Sequence, residues 1–149
     1  MGSGTGKGVL AFSLIKQFYK LIGIEFIENL YKLSKEMYDF YYKNIDKILK
    51  ENRNLFDFSK PNVLNFINGD FLQENWKDAN LMLANSTCFS EELIRKIAIK
   101  ANNECKKGTI IVTFSKRLTN LNSDWESKRG FRRLMTWGIA TVYIHRRKN

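Results

Sequence analysis

Gly2-Ser3-Gly4-Thr5-Gly6-Lys7-Gly8 opens the chain, and no other stretch says as much about its architecture. Four glycines alternate with small or polar residues and lead straight into Leu10, Leu14 and Phe18, with Ala11 and Ile15 beside them. That spacing predicts an amphipathic helix over Gly8–Lys20. Glycines let a backbone approach a ligand closely, and a helix start offers unpaired N–H groups to it. A nucleotide P-loop does not fit. Its G-x-x-x-x-G-K-[ST] pattern would put its first glycine at Met1 and its magnesium-binding hydroxyl at Gly8. A dinucleotide loop wants G-x-G-x-x-G, whereas these glycines alternate as G-x-G-x-G.

Beyond the loop, Leu21–Glu25 is a short apolar run ending in an acid, which reads as a strand. Ile27, Leu30, Ser34, Met37, Tyr41, Ile45 and Ile48 keep helical spacing for about six turns, which predicts one long helix. Asn52–Pro61 is polar and reads as a loop, and Val63–Ile67 as a strand followed by the turn Asn68-Gly69-Asp70. Asn80–Ala84 is a further strand. Ser90 then caps a helix that starts with Glu91 and Glu92 and runs to about Cys105, ended by Lys106-Lys107-Gly108. Thr109–Phe114 has the composition of a strand buried on both faces. Phe131–Trp137 and Ala140–His145, around Gly138, read as a closing hairpin. Helices alternating with strands indicate an α/β sheet, mostly parallel, with a C-terminal antiparallel hairpin. Ligands of such sheets bind beyond the carboxyl ends of the strands. Gly2–Gly8, Glu25, Gly69-Asp70 and Asn85–Phe89 all fall there.

Composition narrows the function. The 149 residues are 44% hydrophobic and 27% charged, an ordinary globular mixture sized for one domain. No apolar run approaches the roughly 18 residues of a membrane span. Val9–Ile15 is too short for a signal-peptide core and has no small-residue cleavage site after it. Cys88 and Cys105 form no C-x-x-C pair, so an intracellular protein with free thiols is expected, in nucleus or cytoplasm, without metal. Charge is segregated: residues 1–105 hold 14 Lys/Arg against 13 Asp/Glu, and residues 106–149 hold 11 against 2. A basic final third suggests a polyanionic partner such as nucleic acid or a nucleoprotein surface. In a chain with 15 asparagines, a solvated surface typical of a Lys- and Asn-rich proteome accounts for the same charge.

Several residues suit a nucleoside ligand. Glu25 follows the glycine loop at the distance at which an acid takes a ribose hydroxyl pair. Asp70 beside Phe71 could accept from an adenine amino group while an aromatic covers the ring. Asn85 can donate and accept without charge, which suits positioning an amine. Cys88 is not read as a nucleophile, because the single histidine, His145, lies in the last strand.

Together, Gly2-Ser3-Gly4-Thr5-Gly6, Gly23-Ile24-Glu25, Gly69-Asp70-Phe71-Leu72, Asn85–Phe89, Gly108-Thr109-Ile110, Thr136-Trp137 and Val142–His145 resemble a class I S-adenosylmethionine-dependent methyltransferase. More narrowly, they resemble the non-SET histone-lysine methyltransferases of the disruptor-of-telomeric-silencing type. The resemblance implies a Rossmann-like fold with S-adenosylmethionine as cofactor. It implies that Gly2, Ser3, Gly4, Thr5 and Gly6 pass under the methionine and ribose, Glu25 holds the ribose and Asp70 with Phe71 the adenine. Asn85 would stand by the methyl group at a lysine channel walled by Phe89, Trp137 and Tyr143. The implied partner is a protein substrate, a histone or nucleosome, with nucleic-acid contact through the basic third. A non-catalytic module binding nucleic acid or a partner through that third is the other reading. Base-amino methyltransferases carry an Asn/Asp-Pro-Pro-aromatic motif at the Asn85 position, and neither proline is present. The family pattern also begins with an acid and a buried first strand, so a sheet lacking its central first strand is expected, in an N-terminally truncated domain.

Overall fold

The computed structural model describes residues 1–15, 18–51 and 63–149. The expected loop at Asn52–Pro61 lies outside the described residues. The chain forms two compact units, Gly2–Phe71 and Leu72–Asn149, the latter together with Met1.

In the first unit, α1 (Lys7–Ile15) leads to β1 (Lys20–Glu25), α2 (Glu28–Glu51) and β2 (Val63–Asn68). β1 and β2 pair in parallel, from Lys20 opposite Val63 to Glu25 opposite Asn68. The helical spacing read from the sequence is the buried stripe of α2, where Ser34, Tyr41 and Ile45 are enclosed. Tyr41 and Ile45 pack with Leu10 of α1 and Phe66 of β2. Two polar groups in this core find partners on the spot. The Ser13 hydroxyl donates to the Leu10 carbonyl and meets the Tyr41 hydroxyl at 2.9 Å. Ser34 donates to the Tyr31 carbonyl.

The second unit runs β3 (Leu81–Ala84), a short 3-10 turn at Ser86–Cys88, α3 (Glu91–Glu104), β4 (Ile110–Phe114), β5 (Trp125–Ser127), β6 (Phe131–Met135) and β7 (Gly138–Arg147). β3 and β4 are parallel, and β7 runs antiparallel to β4 on one side and to β5 and β6 on the other. The expected hairpin is there, with its turn at Thr136-Trp137 rather than around Gly138. β5 was not expected, because three residues carrying Trp125, Glu126 and Ser127 give too little pattern to read. Ser90 caps α3 as read, its hydroxyl accepting from the Leu93 amide. The helix ends at Cys105, and the Arg147 guanidinium from β7 donates to the Ala101 and Cys105 carbonyls. A strand side chain thus completes the helix terminus.

The sheet of the second unit is therefore mixed, with parallel β3 and β4 and a closing antiparallel hairpin, while the two strands of the first unit are parallel. Among the described residues β1 has a strand neighbour on one side only, and so has β3. Each open side is engaged by non-strand backbone. The Ser3 amide donates to the Ile24 carbonyl of β1, and the Met1 amine to the Leu83 carbonyl of β3.

His145 is fully enclosed within β7. The Leu118 amide can only donate, so Nε2 accepts from it at 3.4 Å, and Nδ1 carries the proton toward Ser127 Oγ at 2.7 Å. Burial, aided by the positive Arg117, pushes the imidazole down to about 4 from its ordinary 6.5. The unfolded chain then takes up a proton near pH 6.5 while the folded chain resists it. Stability is full above pH 6.5 and falls as the pH drops toward 4. The expected loss at pH 5 is about 2 kcal/mol. Urea unfolding at pH 7 and pH 5 checks this, and His145→Gln should flatten the dependence.

Candidate functional site

The carboxyl ends of β1 and β2 gather the glycine loop, Glu25 and the Asn68-Gly69-Asp70 turn. Glu25 is 6% exposed. Its Oε2 accepts from the Gly4 amide at 2.7 Å and its Oε1 from the Ile27 amide at 3.0 Å. One carboxylate therefore fixes the loop and the approach to α2 together. The Gly69 amide and the Asn68 side chain both donate to the Glu25 carbonyl, which locks the β2 turn beside it. Asp70 follows directly and is half-buried, whereas Phe71 is buried among the core residues.

The loop needs its glycines. Gly4 and Gly6 have φ of +57° and +81°, a region that side chains rarely adopt. A Cβ on Gly6 would also lie 2.6 Å from the Phe66 ring. Gly23 on β1 faces the same ring, so Phe66 is the floor under both glycines. Sequence reasoning missed Phe66 and Asn68. The first resembled any strand aromatic and the second any turn residue. Only the pairing of β2 with β1 gives them their roles.

At the carboxyl end of β3, Asn85 is exposed and leads into the 3-10 turn. Its Oδ1 accepts from the Thr87 hydroxyl at 3.1 Å, and Thr87 Oγ1 meets Ser115 Oγ at 3.0 Å. The buried Ser86 hydroxyl donates to the Phe114 carbonyl. The loop carrying Asn85 is thus tied to the carboxyl end of β4. Phe89 is half-buried at its far end. Tyr143 stands opposite Thr113, which stands opposite Ala84, so Tyr143 and the residue before Asn85 share one row across the sheet. Trp137 does not join them. It lies at the turn of the β6–β7 hairpin, 56% exposed, and six strand residues put it about 20 Å from Tyr143.

His145 takes no part in activating a nucleophile, since its protonated Nδ1 donates to Ser127 rather than accepting from it. Cys105 is buried, and burial pushes its thiol up to about 11. Cys88 is exposed on the 3-10 turn. No helix among the described residues is long and apolar enough to cross a membrane.

A glycine loop closing on a strand-end acid, beside a second parallel strand followed by Gly69-Asp70, is the arrangement of a class I methyltransferase fold. Two solved structures share it. An RNA methyltransferase from Salinibacter ruber, in complex with S-adenosyl-L-homocysteine, superposes with a TM-score of 0.61 at 17% identity, over 99% of this chain and 78% of that one. The protein yhhF of Escherichia coli, assigned as a methyltransferase, gives 0.55 at 14% identity, over 99% and 75%. The sequence matches the family described as Histone methylation protein DOT1 over residues 1–135, and the chain belongs to that family. No curated protein shows significant similarity to it.

The residues present fit the cofactor of that class, S-adenosylmethionine. A Cβ on Gly4 would meet nothing within 4 Å, so the loop leaves open space there. The Ser3 hydroxyl is a buried polar atom without a partner among the described residues. Glu25 uses two of its roughly four acceptor positions on backbone amides, and the others remain. Filling the close contact at Gly23 should disturb this floor. Gly23→Ala is expected to cost about 1–3 kcal/mol by displacing the Phe66 ring, read as a lower urea midpoint at unchanged m-value.

Proposed function

We propose that this chain is an S-adenosylmethionine-dependent protein-lysine N-methyltransferase whose substrate is a histone or nucleosome, working in the nucleus. Methyl transfer from S-adenosylmethionine follows from the family. The lysine acceptor is the further step, and what supports it is the match to a histone-methylation family over residues 1–135. The structural support for cofactor binding is the Glu25 clamp on the glycine loop.

Gly2, Ser3, Gly4, Thr5 and Gly6 would offer backbone to the cofactor, with Glu25 toward its ribose and Asp70 toward its adenine. The cofactor supplies a methyl group on a positively charged sulfur. The protein's own contribution is to orient the amine in line, exclude water and favour the uncharged amine. An apolar channel lowers a lysine pKa by desolvation, and half-buried Phe89 and Tyr143 suit such walls. The exposed amide of Asn85 can accept an N–H of the incoming amine and aim its lone pair.

In calorimetry, Glu25→Ala and Asp70→Ala should each weaken S-adenosylmethionine binding at least tenfold, or about 1.4 kcal/mol. Unchanged affinity in both would remove this site assignment. Asn85→Ala should lower kcat on histone substrates more than it weakens cofactor binding. Methyl transfer to RNA in place of histone lysine, with cofactor binding intact, would overturn the lysine reading alone.

A further inference from the structure

The β6–β7 hairpin carries side chains that the methylation reading leaves unused. β4 accompanies β7 only as far as Phe114 opposite Val142, with one more bond from the Ser115 amide to the Thr141 carbonyl. Past that point the hairpin is a two-stranded ribbon. Leu134 stands opposite Ile139 on one face, 83% and 70% exposed, and the Trp137 indole is 56% exposed at the turn. On the other face Ala140 is buried.

The flanks are cationic. Lys128, Arg129, Arg132 and Arg133 are all exposed, and the sequence has no Asp or Glu after Glu126. Among the described residues none of these four forms a salt bridge, although Lys32, Lys96, Lys100, Lys116 and Arg147 do. The Arg133 guanidinium lies over the Phe131 ring, 4.7 Å from its centroid. The ribbon therefore combines uncompensated cations with two flat surfaces, a guanidinium on an aromatic and an open indole. Cations that meet phosphates, combined with planar groups that stack on bases, are what an unpaired nucleic-acid strand requires. A second copy of this chain would bring its own cations against these.

We propose that the β6–β7 hairpin is a docking prong for single-stranded nucleic acid. Lys128, Arg129, Arg132 and Arg133 contact phosphates, and Trp137 stacks on an unpaired base. This holds whichever substrate the enzyme methylates.

The test is fluorescence anisotropy of the full chain with a labelled oligouridine about 20 nucleotides long, repeated with the same length as a duplex. Co-sedimentation with phosphatidylserine vesicles runs alongside. The single strand should bind more tightly than the duplex, with affinity falling as salt rises. Arg132→Ala with Arg133→Ala should weaken binding at least about tenfold and reduce the salt slope by roughly 1.4, the value for two phosphates on a single strand. Trp137→Ala should weaken it about tenfold at unchanged slope. Lys96→Ala, which removes an exposed cation from α3, should change nothing. All these positions are exposed, and far-UV circular dichroism confirms that the variants fold. Tighter duplex binding, binding to vesicles but not to the oligonucleotide, or wild-type affinity in the arginine variant would each overturn the proposal.

Discussion

The Glu25 carboxylate holds together what the first unit has to hold together. A buried carboxylate needs hydrogen bonds, and here the donors are two backbone amides on either side of it in sequence, Gly4 and Ile27. The glycine loop curls over the end of β1 because its amide must reach that oxygen. The chain after β1 turns back toward α2 because Ile27 must reach the other. Phe66 then fills the space that Gly6 and Gly23 leave, so the loop rests on an aromatic floor contributed by the neighbouring strand. Removing the carboxylate would release the loop as well as any ligand group it serves.

The second unit is organised around β7. It pairs with three other strands, sends Arg147 to finish α3 and buries His145 under the loop at Leu118. The imidazole is a structural part held neutral by its enclosure, donating to Ser127 and accepting from backbone. The carboxyl end of β4 is held as firmly, since Ser86 and Thr87 hydrogen-bond to it from the loop that carries Asn85. The loop that carries the exposed Asn85 therefore has little conformational freedom left to lose.

Most of this fold was legible because it rests on local signals. The α2 stripe of Ser34, Tyr41 and Ile45, the Ser90 cap and the β-branched run of β4 each declare themselves within a few residues. The glycine loop and Glu25 were legible for the same reason, as was Gly69-Asp70. What was not legible depends on strand pairing. Trp125–Ser127 is a strand only because Arg147, Arg146 and His145 lie beside it. The family resemblance groups Trp137 with Tyr143, yet the first half of an extended strand separates them. Phe71 read as a ring available to a ligand, but it is buried in the core. Glu25 read as a ligand group, and its work as a clamp on its own loop emerges only from the fold.

The order of strands also sets an order of events during synthesis. β1 and β2 can pair once residue 68 has been made, so the unit with the glycine loop can form early. The other unit cannot close until β7 emerges, because β4, β5 and β6 all await the same strand. Until then the strands at 81–84 and 110–114 have only each other, and the edge of β4 that pairs with β7 stays open. Folding on the ribosome is thus vectorial in an uneven way, and the growing chain passes through a stage in which half of it is finished and the other half is sticky.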